Sequence, residues 1–359
     1  MFRIEFQLGA PSQAVSDESR LRSLLRSSLD ELSVLSGEEH WATIDKWRVT
    51  RFVQLAWPTC KNEEDARLLC AWMAWFHQFD DEFDSPSVSR DPLAVEALVG
   101  PYLGHIAKAL AGQSIDSTVR GGPLKAFIEL NRWTVEPMSQ AWHDRWFNDL
   151  ADYVRAYVAE ATHRATGTVL SPEELIKHKR VSMAQRSSMS LIERVATGEL
   201  SPGAHSLTST ATDMVSDITG AVNDLKSLAR ERACGDTHNL IISLVHHRSI
   251  SEREAIEHLD QFVQTRCRDL AHAIQEIPTH PTVQHERETV AEWLVNCGRW
   301  VRGYNDWLLD TGRYDPAPAE VRTEVPAPEA AAGAGGDEDE EDATTSSTPA
   351  AVAPPASKT

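Results

Sequence analysis

Four carboxylates stand within five residues in Asp80-Asp81-Glu82-Phe83-Asp84, directly behind the apolar run from Ala71 to Phe79. That run contains Trp72, Trp75, Phe76 and Phe79 and reads as a buried helix. A helix C-terminus already carries partial negative charge, so acids gathered there are unfavourable. Ser85-Pro86 follow and are expected to stop the helix. Hard divalent metals neutralise such a cluster using oxygen ligands alone. Asp80 and Asp84 are four residues apart, and Asp81 and Asp84 three, so they share one helical face. A solvated acidic face would look the same, and a second segment has to decide.

Residues 223–231 read Asn-Asp-Leu-Lys-Ser-Leu-Ala-Arg-Glu. Asn223, Ser227 and Glu231 recur every four residues and drift only about 80° around an ideal helix. They offer an amide oxygen, a hydroxyl and a carboxylate in one line, three hard donors suited to Mg²⁺. Arg230 stands beside the last of them. A chance match to Asn, Asp, Ser, Arg or Lys, and Glu at these spacings has a probability of roughly 10⁻⁶ per starting position.

An aromatic helix ending in Asp80-Asp81-x-x-Asp84, followed by Asn223-Asp224-x-x-Ser227-x-x-Arg230-Glu231, resembles a bacterial class I terpene synthase of the sesquiterpene cyclase type. A third landmark agrees. Trp300-Val-Arg-Gly-Tyr-Asn-Asp-Trp307 runs into Thr311-Gly312-Arg313-Tyr314, similar to the Arg-Tyr pair that closes this family's catalytic domain. The likeness runs from Trp41 to Tyr314. It implies an all-α bundle around a central cavity and metal ligation by Asp80, Asp84, Asn223, Ser227 and Glu231, with Asp81 in support. It also implies diphosphate contacts from Arg180, Arg230, Arg313 and Tyr314. The implied cofactor is Mg²⁺, as three ions with Mn²⁺ as a substitute, and the implied partner is a prenyl diphosphate. Homodimers are common in the family, and nothing in the sequence itself points to one.

One element departs from the family pattern. A diphosphate-sensing arginine, often a tandem, normally stands upstream of the Asn/Ser/Glu segment. The matching stretch here is Lys177-His178-Lys179-Arg180-Val181-Ser182-Met183-Ala184. Arg180 is the candidate, because a planar guanidinium suits bidentate phosphate contact. Lys179 occupies the place of a first arginine, and Ala184 that of the family's glycine near the next helix break. By the same resemblance Phe76, Phe79 and Trp307 are candidates for the cavity wall, where ring faces stabilise carbocations. Phe52, Trp72 and Trp75 are assigned to the core.

These residues need long helices to position them, and the pattern supplies helices almost throughout beyond residue 35. Apolar residues recur at helical spacing in 43–57, 66–79, 124–134, 148–163, 173–195, 207–231, 252–275 and 284–309. Strand alternation is confined at most to Phe2–Phe6. Breakers separate the segments, and Ser171-Pro172-Glu173-Glu174 supplies a cap, an N1 proline and first-turn acids. The expected organisation is one all-α catalytic domain, residues 1–314, and a tail, residues 315–359. The tail is Pro/Ala-rich with an acidic run from Asp337 to Asp342, a composition that cannot bury a core and is expected to be disordered.

The net charge is −19. Ten acids and two bases after residue 314 supply −8 of it. A moderately acidic body argues against a nucleic-acid surface. Five cysteines without paired spacing read as reduced thiols, and no run reaches membrane-spanning length or resembles a secretion signal, so a cytoplasmic protein is expected. No hydrolase elbow, Walker loop or zinc spacing is present. The resemblance thus implies a Mg²⁺-dependent cyclase of a linear prenyl diphosphate, most naturally farnesyl diphosphate. The leaving pyrophosphate can itself serve as terminal base, and no protein residue is assigned that role. The rivals are a chain-elongating prenyltransferase, which would carry a second aspartate-rich motif at Asn223/Ser227/Glu231, and a helical diphosphate-binding protein without catalysis.

Overall fold

The computed structural model describes residues 17–83, 88–113, 119 and 121–314. Phe2–Phe6, Asp84, Ser85-Pro86 and the tail 315–359 lie outside the described residues. Within them the chain is helical and without a strand. The helices are α1 (Glu18–Glu31), α2 (Glu38–Lys46), α3 (Val49–Ala56), α4 (Glu63–Asp81), α5 (Pro92–Leu110), α6 (Gly122–Val135) and α7 (Gln140–Thr166). They continue as α8 (Pro172–Ser182), α9 (Gln185–Ile192), α10 (Pro202–Cys234), α11 (Leu240–Arg248), α12 (Glu252–Glu276) and α13 (Arg287–Asp310).

The helix that ends in acids starts well. Asn62 caps α4 by accepting from the Asp65 N–H at 2.8 Å. Glu63, Glu64 and Asp65 then fill its first turn, where negative charge is favoured. α8 opens on a capping box between Ser171 and Glu174, with Pro172 in its first turn. Gly235 ends α10 in the left-handed conformation, φ 68°.

Several expectations are corrected. The segment 43–57 is two helices, α2 and α3, turned at Arg48 with φ 54°. The segment 173–195 is likewise two, α8 and α9, separated at Ala184 with φ 56°. A left-handed residue with a Cβ costs about 1–2 kcal/mol, so the surrounding packing must hold both turns. Helices α1, α5 and α11 were not expected. In α5 the internal Pro101, with Gly100 and Gly104, blurs the periodic signal.

The core is aromatic. Trp75 stacks on Phe79 at 4.7 Å, Phe52 on Trp307 at 4.8 Å and Trp142 on Trp146 at 5.3 Å. Such pairs add about 0.5–1.5 kcal/mol each beyond the area they bury. All five thiols are free; four are buried and Cys234 is exposed. Among the described residues no helix is long and apolar enough to cross a membrane.

α13 lies directly on the end of α3 because Gly303 has no side chain. A Cβ there would stand 2.4 Å from the Leu55 carbonyl group and 2.6 Å from the Ala56 nitrogen. Backbone cannot yield as a flexible side chain can. Gly303→Ala is therefore expected to destabilise the protein by at least about 1–3 kcal/mol, read as a lowered denaturant midpoint; an unchanged midpoint would show that the two helices are free to separate.

Candidate active site

Met73, Phe76, His77 and Asp80 fall at i, i+3, i+4 and i+7 of α4 and so form one stripe. That stripe faces Tyr153 and Tyr157 of α7, Asn223 of α10, Trp300 and Tyr304 of α13, and Phe52 of α3. With the α8–α9 turn from Ser182 to Gln185, Ser188, and Arg313-Tyr314, these residues enclose a cavity of about 160 Å³. Phe52, expected in the core, is on its wall. Phe79 is not, because it lies about 100° around α4 from the stripe and packs on Trp75 and Tyr102. Trp307 follows Trp300 by two turns and is buried beyond the cavity, its Nε1–H donated to the Trp47 carbonyl at 2.8 Å.

Arg313 joins the first motif. Its Nη2 lies 2.8 Å from Asp80 Oδ2 and 2.8 Å from Asp81 Oδ1, and its Nη1 lies 3.3 Å from Asp81 Oδ2. Arg313 is 8% exposed, and its guanidinium lies over the Trp47 ring, 5.1 Å from its centre. Burial pushes Asp81 upward, and the charge and hydrogen bonds of Arg313 oppose that. Asp80 Oδ1 also accepts from the Tyr157 hydroxyl at 3.2 Å, which is 2.9 Å from the Tyr153 hydroxyl. Burial holds both phenols well above their ordinary range, so they stay protonated.

The facing wall carries the second motif. Asn223 Nδ2 donates to the hydroxyls of Tyr314 at 2.7 Å and Tyr304 at 3.1 Å, which leaves Oδ1 as the amide's free acceptor. The Ser227 hydroxyl donates to the Asn223 carbonyl at 2.9 Å and stands beside Glu231. Glu231 Oε2 accepts from Asn239 Nδ2 at 2.7 Å. Burial, then the neighbouring Asp224, push the Glu231 carboxyl up to about 7, against Lys179, Asn239 and Ser227. Arg230 lies over the Tyr314 ring, 5.9 Å from its centre.

The two cations on α8 part company. Lys179 Nζ is 2.6 Å from Asp224 Oδ1, and both side chains are buried. Asp224 Oδ2 accepts the Leu240 N–H at 2.7 Å, which ties the start of α11 to the same pair. Gly220 lies under this pair, and a Cβ there would stand 3.3 Å from Met183 Sδ and 3.4 Å from Lys179 Cδ. Arg180 reaches earlier turns of α10. It is bidentate to Asp217 at 2.7 and 2.8 Å and donates to Asp213 at 2.8 Å. Of the two, Lys179 stands against the Asn223–Glu231 segment, and Arg180 is not on the cavity wall.

The donors suit a hard divalent cation because they are all oxygens. Among the described residues no three His, Cys, Asp or Glu side chains gather into a ready-made site. Two of the candidate donors are an amide and a hydroxyl, and Asp84 lies outside the described residues. Sequence reasoning passed over Asp224, Asn239, Tyr153, Tyr157, Tyr304 and His77. The tyrosines' four-residue spacing and the place of His77 one turn before Asp80 were the available signals.

The profile of terpene synthase family 2, C-terminal metal binding, matches residues 71–269. (−)-delta-Cadinene synthase of Streptomyces clavuligerus is 30% identical over 274 residues, covering 73% of this chain and 80% of that protein. Germacrene A synthase of Nostoc punctiforme is 27% identical over 84% of this chain and 90% of that protein. The crystal structure of linalool/nerolidol synthase from Streptomyces clavuligerus superposes with a TM-score of 0.73 at 24% identity, over 85% of this chain and all of that one, and shows the shared all-α fold.

Lys179→Met leaves Asp224 buried without its cation and is expected to cost about 3–5 kcal/mol. Arg180→Met should cost less, because Arg266 Nε remains 3.0 Å from Asp217. Denaturation midpoints of the two variants check the order, and a reversal would move the structural cation of α8 to Arg180.

Proposed function

The chain belongs to the terpene synthase family, and from that membership we propose that it ionises farnesyl diphosphate and cyclises the resulting allylic cation. The observation that carries the reading is the arrangement of one cavity. Its wall is rich in aromatic rings and carries Asp80 of the first motif and Asn223 of the second, with Arg313 bonded to Asp80 and Asp81 and Tyr314 bonded to Asn223.

Asp80, Asp84, Asn223, Ser227 and Glu231 are proposed to hold Mg²⁺, in three ions, with Asp81 supporting and Mn²⁺ able to substitute. Bound metal supplies the positive charge that joins a diphosphate to a carboxylate wall and stabilises it as a leaving group. Arg313, Arg230 and Tyr314 are proposed to grip the diphosphate once Arg313 exchanges Asp80 and Asp81 for phosphate oxygens. Arg180 would first have to leave Asp213 and Asp217. The faces of Phe52, Phe76, Trp300 and Tyr304 then surround the cation, stabilising it without offering a nucleophile. The hydroxyls of Tyr153 and Tyr157 are engaged with each other and with Asp80, which keeps them from capturing it. Walls of this kind also exclude water.

Incubation with farnesyl diphosphate and Mg²⁺ is expected to yield pyrophosphate and a cyclic hydrocarbon or alcohol, more efficiently than geranyl or geranylgeranyl diphosphate does. A longer diphosphate would instead mark chain elongation, and binding without turnover a non-catalytic protein. Chelation should abolish activity and added Mg²⁺ restore it. Asn223→Ala or Glu231→Ala should lower turnover by about 10²–10³-fold; near-normal rates would remove these residues from the metal site. A proton on Glu231 competes with the metal. The Mg²⁺ concentration for half-maximal turnover should therefore rise as the pH falls through about 7.

A further inference from the structure

We propose that Nε2 of His77 accepts the proton whose loss ends the cyclisation. His77 is the single imidazole on the cavity wall among the described residues. It stands one helical turn before Asp80, about 5 Å deeper along α4 and therefore on the hydrocarbon side of the diphosphate end.

The geometry fixes its tautomer. Nδ1 lies 2.5 Å from the Met73 carbonyl oxygen. A carbonyl can only accept, so Nδ1 carries the hydrogen and Nε2 keeps a bare lone pair. The ring is held between Trp47, 5.7 Å away, and Trp307, 5.3 Å away. Burial and the adjacent Arg313 charge push its pKa down to about 3, so the resting imidazole is neutral. Weak basicity is no obstacle, because a carbocation is an extremely strong acid toward any lone pair. The four phenols on the wall are poorer acceptors, and Asp80 is engaged by Arg313 and Tyr157. The protonated phenols of Tyr153 and Tyr157 are hydrogen-bonded to each other, and Tyr304 and Tyr314 are bonded to Asn223.

In the step, a C–H bond next to the cationic carbon breaks and its electron pair becomes the C=C bond of the product. The proton moves to Nε2. The imidazolium, buried beside Arg313, passes that proton to the departing pyrophosphate, which restores the neutral ring. This assignment rests on the reading of the chain as a farnesyl diphosphate cyclase and adds to it a base within the protein.

The test uses the full chain with Mg²⁺ and farnesyl diphosphate, measuring released pyrophosphate and the product profile together. His77→Phe keeps a ring between Trp47 and Trp307 and removes both nitrogens. His77→Gln keeps a hydrogen-bond acceptor near the position of Nε2 but no base. The share of the main wild-type product is expected to fall at least about tenfold in both variants, with hydrocarbons formed by proton loss elsewhere taking its place. A share within about twofold of wild type in either variant would overturn the assignment: in the Phe variant no nitrogen would be needed, and in the Gln variant an acceptor would suffice. Absence of pyrophosphate from the wild-type protein would instead overturn the parent reading, so the two failures are told apart.

Discussion

Two carboxylates at the C-terminal end of an aromatic helix repel each other, the helix's own dipole and the apolar interior behind them. Arg313 resolves that conflict. One nitrogen of its guanidinium serves both Asp80 and Asp81 at 2.8 Å, while its face covers Trp47. The arginine comes from beyond α13, so a residue far along the chain neutralises the end of α4. Its backbone neighbours are secured to the same region. Thr311 Oγ1 donates to the Trp47 carbonyl at 2.8 Å, and the Gly312 N–H donates to Lys46 O at 3.1 Å. In this arrangement a protein cation stands where the proposed chemistry requires metal, and exchanging one for the other couples ligand binding to the position of the segment at 311–314.

The opposite wall is set by a second buried charge pair. Lys179 and Asp224 hold α8 against α10, and the Asp224 carboxylate also takes the first amide of α11. Asn239, just before that amide, bonds both the Asp224 carbonyl and Glu231. The orientation of Glu231 therefore depends on a connection to α11 as well as on its own helix. Behind it, Glu160 and Arg164 of α7 meet His178 and Asp236, so α7, α8 and the end of α10 are linked by charge. Burial opposes the Glu160 charge, but the His178 hydrogen bond and the charges of His238 and Arg164 prevail and hold it down at about 2.

Much of this was legible from residue order. The acidic end of α4 announced itself by charge against an aromatic run, and Asn223, Ser227 and Glu231 by helical spacing. What was not legible depended on angles. Lys179 and Arg180 both reach α10, and the about 100° of helix phase between them decides which meets Asp224 and which meets Asp213 and Asp217; residue counting carries no phase. The same difficulty separates Phe79 from Phe76. The turns at Arg48 and Ala184 use left-handed backbone at residues with no preference for it, so no composition signal marks them. α5 was hidden by Pro101 and the neighbouring glycines within a continuous helix.

The cation stacked on Trp47 gives the protein an optical property. An indole's emission depends on charge near its ring, and Arg313 stands 5.1 Å from that ring's centre. If the guanidinium leaves Asp80 and Asp81 for a ligand, the field at Trp47 changes although that tryptophan is not on the cavity wall. His77, whose ring centre lies 5.7 Å from that of Trp47, would register the change as well. The molecule thus carries an unlabelled indicator of whether its site is open or engaged, built from the residues that neutralise it at rest.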